Sequence, residues 1–261
     1  RHVYLQDHEQ LIGGKWMFHA KIKSETLKGV VDVVSTLVDE AKFNIFSDGI
    51  ELKAVDPAHV AMVDMKVERS AFEEFSADET ELGIDLDKIK EVLRLSRAGD
   101  IIEMEQDEAK NRLVLHVGNI TRRMNLVDTA GMSDPKVPNL NLPAKLVVTS
   151  DELQKGIRAA ESVSDHIALN ATPEGFEMYS EGDTDSVSLK LPKDLLISLE
   201  VTEKVKSLFP LDYFSNMVRS IPAGSVVTIN LGSDFPVKLE FEIADKRGNV
   251  NYLLAPRIES D

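Results

Sequence analysis

Hydrophobic and polar residues follow two periods along the first half of the chain. Residues 17–23 alternate, which predicts a strand, and Leu27, Val30, Val34 and Val38 then recur at helical spacing. Polar turns separate the apolar segments that follow. The same two periods predict strands over 43–45, 49–55, 60–67 and 81–84, a helix over 87–96, and strands over 101–105, 112–117 and 122–127.

The second half repeats this order of elements. Ser24 and Ser150 each precede the first helix of their half, and a serine in that place predicts an N-cap. Leu153, Ile157 and Ala160 continue the second of these helices at helical spacing. The other elements predicted in this half are strands over 144–148, 167–171, 175–180, 186–190, 226–231, 237–243 and 250–254, and a helix over 211–221.

The sequence itself repeats along with the pattern. A shift of 126 residues places residues 24–49 on residues 150–175 without a gap, and Leu27 then falls on Leu153. Further along the shift is 125, and Arg94 falls on Arg219. A repeat of this length indicates duplicated domains rather than the short units of a solenoid. Within each half the order helix, strands, helix, strands is itself repeated, so the chain is roughly fourfold.

A segment of different character lies between the halves. Residues 129–142 contain two prolines and a glycine, which exclude a regular helix, yet they also carry Val137, Leu140 and Leu142. These apolar residues could pack onto their own domain. Alternatively, the segment is a connecting loop that forms one wall of an exposed apolar groove, because a passive linker is more often rich in Gly, Ser or charge.

Composition fits a soluble globular protein, with 43% hydrophobic and 29% charged residues. There is no run of 18 apolar residues, so no membrane span is expected. The absence of cysteine excludes disulfides and thiol chemistry and favours an intracellular setting. The net charge of −15 argues against nucleic acid at first sight, although it does not locate the charges.

Candidate catalytic groups are scarce. No phosphate-binding glycine loop, nucleophile elbow or His-Glu-x-x-His motif is present, and the six histidines show no ligand spacing along the sequence. Asp183 and Asp185 form the one notable carboxylate pair. The simpler interpretation is an acidic turn between two strands, and the alternative is a metal site. The sequence therefore favours a protein that is not an enzyme and uses no metal or other cofactor.

Basic residues recur on all four predicted helices and in the region before the last one. On any single helix they indicate a solvated face with pairs four residues apart. Their repetition supports a second interpretation, in which all four helices share one surface and form a weak basic lining. The residues concerned are Lys28, Lys88, Lys90, Arg94, Arg97, Lys155, Arg158, Lys204, Lys206 and Arg219.

Several separate motifs, in order, resemble one family. They are Asp39-Glu40-Ala41, Leu52-Lys53-Ala54-Val55-Asp56-Pro57-Ala58-His59-Val60, Ser164-Asp165-His166, Glu181-Gly182-Asp183, Phe235-Pro236-Val237 and Leu254-Ala255-Pro256-Arg257-Ile258. Together with the duplication, they resemble the DNA polymerase sliding clamp, proliferating cell nuclear antigen. The acidic composition and missing cysteines look more like an archaeal member than a eukaryotic one.

The resemblance implies an α+β DNA-clamp fold. Residues 17–128 and 144–261 would form two similar domains, joined by an interdomain connecting loop over 129–143. Three chains would close head to tail into a pseudo-sixfold ring, with helices lining the hole and antiparallel sheets outside. Residues 1–16 have no counterpart in the repeat, and we expect them to be an extension outside the fold. Gln10 and Trp16 have the spacing of a clamp-binding peptide, but Gly13 and Met17 break its pattern.

The resemblance also implies a function and partners. The ring would encircle duplex DNA without reading its sequence, and would tether DNA polymerase, clamp loader, flap nuclease and ligase through short peptides. The basic residues of the helices would then face the DNA. The alternatives are a checkpoint-type clamp subunit acting in a heterotrimer and an enzyme of unrelated chemistry. We expect a cytoplasmic, nucleoid-associated protein in an archaeon, or a nuclear one in a eukaryote.

Two further sets of residues follow from the resemblance. Subunits would pair through edge strands over 119–125 and 175–190, with Arg122 and Arg123 near acids such as Glu152 or Asp185. Thr121, Arg122, Arg123, Asp185 and Val187 are thus expected at the subunit interface. Partner peptides would dock in a groove formed by Val55, Pro57, His59, Val60, Met62, Val137, Leu140, Leu142, Pro236, Leu253, Leu254, Ala255, Pro256 and Ile258.

Overall fold

The computed structural model of the protein describes residues 17–258, and its two halves contain the same elements in the same order. The first half has nine strands and two helices. Its strands are β1 (Phe18–Lys23), β2 (Glu40–Phe46), β3 (Gly49–Val55), β4 (Ala61–Glu68), β5 (Glu74–Ala77), β6 (Thr80–Asp85), β7 (Ile101–Asp107), β8 (Arg112–Val117) and β9 (Ile120–Asn125). Its helices are α1 (Ser24–Ser35) and α2 (Leu86–Arg94).

The second half again has nine strands and two helices. Its strands are β10 (Ala144–Thr149), β11 (His166–Thr172), β12 (Gly175–Glu181), β13 (Ser186–Pro192), β14 (Ser198–Val201), β15 (Val205–Pro210), β16 (Val226–Leu231), β17 (Val237–Ile243) and β18 (Gly248–Leu254). Its helices are α3 (Ser150–Ala160) and α4 (Leu211–Arg219). No helix of the described residues is long and apolar enough to cross a membrane.

The strands form three antiparallel sheets, and one of them crosses from one half into the other. The first half contributes the sheet β5-β1-β7-β8-β9, and the second half the sheet β13-β12-β11-β15. The third sheet has nine strands in the order β14-β10-β16-β17-β18-β4-β3-β2-β6. At its centre β18 pairs with β4, with Tyr252 opposite Val63 and Leu253 opposite Met62. This strand pair joins the two halves through backbone hydrogen bonds.

The first helix of each half is anchored at its N-terminus by the same kind of backbone hydrogen bond. The N–H of Ser24, at the start of α1, donates to the carbonyl of Asp100 (2.8 Å), and that of Ser150 donates to Ser225 (2.9 Å). These bonds satisfy donors that a helix N-terminus otherwise leaves free. The N-cap prediction for Ser24 and Ser150 was wrong. Each is the first helical residue, and their hydroxyls bond the hydroxyl of Ser96 and the carbonyl of Pro222.

The four helices lie in a row on one side of the molecule. Helix α1 packs beside α2, and α3 packs beside α4. Thr36, directly after α1, lines a cavity together with Asn216 of α4, so these two helices meet at the junction of the halves. Buried Tyr252 of β18 lies under this meeting point, donating its hydroxyl to the carbonyl of Val33 in α1 (2.6 Å) and contacting Ser220 Oγ after α4 (2.8 Å).

The segment between the halves, residues 126–143, contains no helix or strand but is attached to the first half. The N–H of Val127 donates to the carbonyl of Gly83 (2.8 Å), and the Lys42 ammonium lies 3.4 Å from the Asp134 carboxylate. A Cβ atom at Gly83 would lie 2.2 Å from the Val127 carbonyl oxygen, so only glycine admits this approach. The start of the segment is therefore held against β2 and β6.

Candidate functional site

The junction strands β4 and β18 present two different surfaces, one on each side of the central sheet. Successive side chains of a strand point to opposite faces. Tyr252 therefore points toward the helices, whereas Leu253 and its partner Met62 point to the other side. Any ligand of the helices and any ligand of the Leu253 side would consequently be separated by the thickness of the sheet.

On the side away from the helices, the junction strands and the connecting segment enclose a cavity of about 280 Å³. Its apolar residues include four of the predicted groove residues, namely Met62, Val137, Leu140 and Leu253. Four further residues of its lining are polar or charged at their tips, and the sequence reasoning missed them. These are Asp64, Asn139, Lys238 and Asn251. Strand alternation could have found two of them, because Asp64 and Asn251 lie two residues from Met62 and Leu253.

The other predicted groove residues lie around this cavity or away from it. Leu254 belongs to the core with no exposed surface, so its assignment to the groove was wrong. Pro57 lines the cavity near α4 on the helix side instead. His59 is exposed in the β3–β4 turn, and Ile258 is 68% exposed. The residues that flank the junction strands and the connecting segment, each half-buried, are Val55, Val60, Leu142, Pro236, Ala255 and Pro256.

The helix-side cavity, about 220 Å³, contains a buried carboxylate that binds the two halves together. Tyr213 of α4 donates its hydroxyl to Asp56 Oδ2 (2.6 Å), and Asp56 also accepts backbone N–H bonds from the β3–β4 turn. Burial opposes ionisation of Asp56, but the bonds from Tyr213 and the turn outweigh it and hold its pKa below the usual value. The same hydrogen bond, followed by burial, raises the pKa of Tyr213 to about 12.

The helix row carries most of the predicted basic lining. Arg94 and Arg219 both stand in the last turn of their helices, where a cation interacts favourably with the helix dipole. Two of the cations are neutralised locally, because Lys28 pairs with Asp32 (2.6 Å) and Arg219 pairs with Glu161. Among the described residues, no ion pair links a carboxylate to Lys88, Lys90, Arg94, Arg97, Lys155 or Arg158.

Three predicted lining residues lie off the helices, and one of them, Lys204, is in the turn between β14 and β15. Arg97 is in the turn after α2, beside the row. Lys206 lies in β15, where Val205 and Ser207 on either side of it are buried. Its side chain therefore points to the face of the sheet opposite the core and the helices, and including it in the helix surface was wrong.

Two edge strands contain or adjoin the residues predicted for subunit contact. Strand β9 pairs only with β8, and β13 pairs only with β12, within the part of the chain that the structure describes. Thr121, Arg122 and Arg123 lie in β9, Val187 lies in β13, and Asp185 precedes β13 directly. The predicted range 175–190 was too wide, because β12 is an interior strand. Within the chain, Arg122 pairs with Glu91 of α2 (3.0 Å), and its pairing with acids of a neighbouring chain stays a prediction.

Two family descriptions match this chain in succession. Residues 17–131 match the N-terminal domain of proliferating cell nuclear antigen, and residues 136–257 match its C-terminal domain. Archaeal proteins named DNA polymerase sliding clamp are similar over 94% of the chain and the whole of their own length. That of Methanocella arvoryzae is 45% identical, and that of Methanosarcina mazei 44%. The Haloarcula marismortui protein of that name is 39% identical over the same shares.

Solved structures agree with these matches. The structure described as the C-terminal region of FEN-1 bound to A. fulgidus PCNA has a TM-score of 0.88 at 33% identity, over 94% of this chain and all of that one. PCNA from Thermococcus kodakaraensis has a TM-score of 0.85 at 28% identity, over 92% of this chain and all of that one. The two-domain architecture described above is therefore shared with these proteins.

Proposed function

The chain belongs to the proliferating cell nuclear antigen family of DNA polymerase sliding clamps, and on that premise we propose that three copies close into a ring around duplex DNA. In this role the protein performs no catalysis. It is a processivity factor that keeps replication and repair proteins at their template. The names of the matched relatives favour this function over that of a checkpoint-type subunit.

The observation that carries the ring is the pairing of β18 with β4. Strand β9 is the counterpart of β18 in the first half, and β13 is the counterpart of β4 in the second. Within residues 17–258 both counterparts are free edges, and open edges invite pairing with another chain. If β9 of one chain pairs with β13 of the next as β18 pairs with β4, every junction in the ring is equivalent and neither β9 nor β13 is left as an open edge.

The internal junction also supplies the register of the proposed contact. In the two hairpins that end in β9 and β18, Thr121 lies opposite His116 and Asn251 opposite Glu240, which makes Thr121 the counterpart of Asn251. By the same comparison Ser188 is the counterpart of Asp64. Since Asn251 pairs with Asp64, Thr121 should pair with Ser188 of the neighbouring chain. The resulting pairs along the contact are Ile120 with Leu189, Thr121 with Ser188, Arg122 with Val187, Arg123 with Ser186 and Met124 with Asp185.

The helix row is the surface that suits DNA. In a closed ring the four helices of each chain repeat three times around the hole, and their basic residues meet phosphates. Phosphate contacts fix no base sequence, which suits a protein that must slide. The pairing of Lys28 with Asp32 and of Arg219 with Glu161 weakens the field of the lining. The net charge of −15 then resides mainly outside the hole.

The cavity between Leu253, Met62 and Leu140 is the surface that suits partner peptides. Its lining combines apolar side chains with polar ones, as protein interfaces do. Because it lies on the opposite side of the sheet from the helices, a partner can bind it while DNA fills the hole. A flap nuclease is the first partner to test, since the A. fulgidus clamp structure contains a segment of FEN-1.

Two measurements test the proposal. Light scattering should give a homogeneous mass near three times 29.0 kDa, and a persistent monomer would contradict the ring. With its cognate polymerase and clamp loader, the protein should lengthen the products of primer extension on a long template. If the particle is a trimer but the products do not lengthen, the ring stands and the tethering function is wrong.

A further inference from the structure

Four potential metal ligands lie together on the outer face of the sheet β5-β1-β7-β8-β9. Strand pairing places His19 of β1 opposite Glu105 of β7, and Glu103 of β7 opposite His116 of β8. The residues between them, such as Ala20 and Met104, are buried in the core. All four ligand side chains therefore point away from the core, over three adjacent strands.

The ligand atoms of His19, Glu103 and Glu105 are close enough to share one ion, and His116 approaches one of them. His19 Nε2 lies 3.6 Å from Glu103 Oε1 and 4.0 Å from Glu105 Oε1, and His116 Nε2 lies 3.9 Å from Glu105 Oε1. Ligand atoms of His19, Glu103 and Glu105 all fall within 4.8 Å of one another, whereas His116 is outside this group of three. In a tetrahedral zinc site with bonds of about 2.0–2.2 Å, ligand atoms are about 3.3–3.6 Å apart. Small side-chain adjustments would bring the atoms of His19, Glu103 and Glu105 to that spacing, and His116 would have to turn further toward the ion.

The orientation of His116 supports the same geometry. Its Nδ1 lies within hydrogen-bonding distance (3.0 Å) of Thr121 Oγ1 on β9, and its Nε2 points toward Glu105. Metal-binding histidines usually hold their second ring nitrogen in such a hydrogen bond, which orients the ring. Here Thr121 would accept that hydrogen bond from Nδ1 of His116 and so orient the ring.

Glu103 and Glu105 place two carboxylates side by side, and a cation held between them would offset their mutual repulsion. Among the described residues, the ammonium of Lys21 lies 3.8 Å from Glu103 Oε2, but it also reaches Glu74 (3.4 Å). An ion bound between Glu103 and Glu105 would leave Lys21 paired with Glu74.

The duplicated domain shows that the fold does not require this cluster. The strands equivalent to β1, β7 and β8 are β10, β16 and β17. Lys145 lies opposite Asn230 there, as His19 lies opposite Glu105, and Thr228 lies opposite Glu240. These four residues contain no histidine and one carboxylate. The ligand set of the first half is therefore a property of that half alone.

We propose that His19, Glu103, Glu105 and His116 bind one Zn²⁺ ion per chain. Imidazole and carboxylate are established zinc ligands, and four of them complete a tetrahedral site. The ion would link β1, β7 and β8 beside β9, the strand that we assign to subunit contact. It would thereby stiffen the sheet that presents that edge.

The test is a calorimetric titration of the full chain, stripped with chelator, with Zn²⁺ alone. We expect one saturable site per chain, and more than tenfold weaker binding in His19→Ala and in Glu105→Gln. The matched control is Glu240→Gln, the position equivalent to His116 in the second half, which should bind Zn²⁺ like the unaltered chain. His2→Ala/His8→Ala should also leave the site intact, which separates it from histidines of the N-terminal segment.

A second measurement distinguishes loss of the metal site from misfolding of the variant. Zn²⁺ should raise the melting temperature of the unaltered chain but not of Glu105→Gln, whose melting temperature without metal serves as its folding check. Equal concentrations of Mg²⁺ or Ca²⁺ should not displace Zn²⁺, because both prefer sites of six or more oxygen ligands. The proposal is wrong if no saturable Zn²⁺ site is found, if Glu105→Gln binds normally, or if the site disappears with His2 and His8.

Discussion

Ile120 offers the sharpest perturbation of the proposed ring, because its exposure differs from that of its counterpart. Ile120 of β9 is 42% exposed, whereas its counterpart Val250 of β18 is 1% exposed beneath the β18–β4 junction. In the ring, Leu189 of the neighbouring chain would cover Ile120 as Met65 covers Val250. Ile120→Ala should therefore weaken the ring through contacts that a single chain does not make.

The expected magnitude follows from the exposed fraction. Full burial of an isoleucine side chain stabilises by about 1.5–3 kcal/mol. Covering the exposed 42% of Ile120 would then contribute about 0.6–1.3 kcal/mol at each junction. Over three junctions this is about 3 kcal/mol, or roughly a hundredfold increase in the dissociation constant of the trimer.

The chain offers a matched control for this variant. Ile101 at the start of β7 is 40% exposed, and its counterpart Val226 is 48% exposed, so the ring is not expected to cover Ile101. Sedimentation over a range of protein concentrations should show Ile120→Ala dissociating at concentrations where Ile101→Ala remains a trimer. Equal dissociation of the two variants would refute the assignment of β9 to the interface.

Three other perturbations address the two faces of the junction and the bond between its halves. Leu140→Ala should weaken a flap-nuclease C-terminal peptide at least tenfold in fluorescence anisotropy while the trimer mass is unchanged, and an unaltered affinity would remove Leu140 from the groove. Arg94→Ala/Arg219→Ala should lower the salt dependence of DNA retention by topologically closed rings; retention with the original salt slope would place both residues away from the phosphates. Tyr213→Phe should lower the free energy of unfolding by about 1–3 kcal/mol above pH ~4, because it removes a bond that favours ionised Asp56. Since the pKa of Asp56 is held down in the folded state, that difference should shrink as the pH falls through this lowered pKa, and a denaturation series with no such trend would contradict the assigned bond.

The duplication and most strands could be predicted from the sequence, because alternation and helical spacing are local signals. Strands β8, β16 and β17 lie where the pattern predicted them. The short strands β5 and β14 were missed, and so was β15. Four residues give too few alternations to be recognised. Strand β15 was missed because no element was predicted between the strand that ends at residue 190 and the helix over 211–221.

Properties that depend on strand order could not be predicted. Nothing near Leu253 in sequence shows that it faces Met62, because that contact arises only when β18 pairs with β4. The histidines showed no ligand spacing for the same reason. His19 and His116 are distant in sequence, and only the intervening strand β7 brings both next to Glu105. Lys206 was misplaced because a basic residue before a helix gives no indication of the face its side chain takes.

The most direct test of the ring is a cross-link between β9 and β13. The chain contains no cysteine, so introduced thiols have no native competitor. Directly opposite residues of antiparallel strands have Cα atoms about 4.5–5.5 Å apart, within the range that a disulfide spans. Oxidised Thr121→Cys/Ser188→Cys should run as a covalent trimer on a denaturing gel, and Thr121→Cys/Ser186→Cys, two residues out of register, should not. If Thr121→Cys/Ser188→Cys stays monomeric on the gel, or if both variants cross-link equally, the proposed subunit contact is wrong.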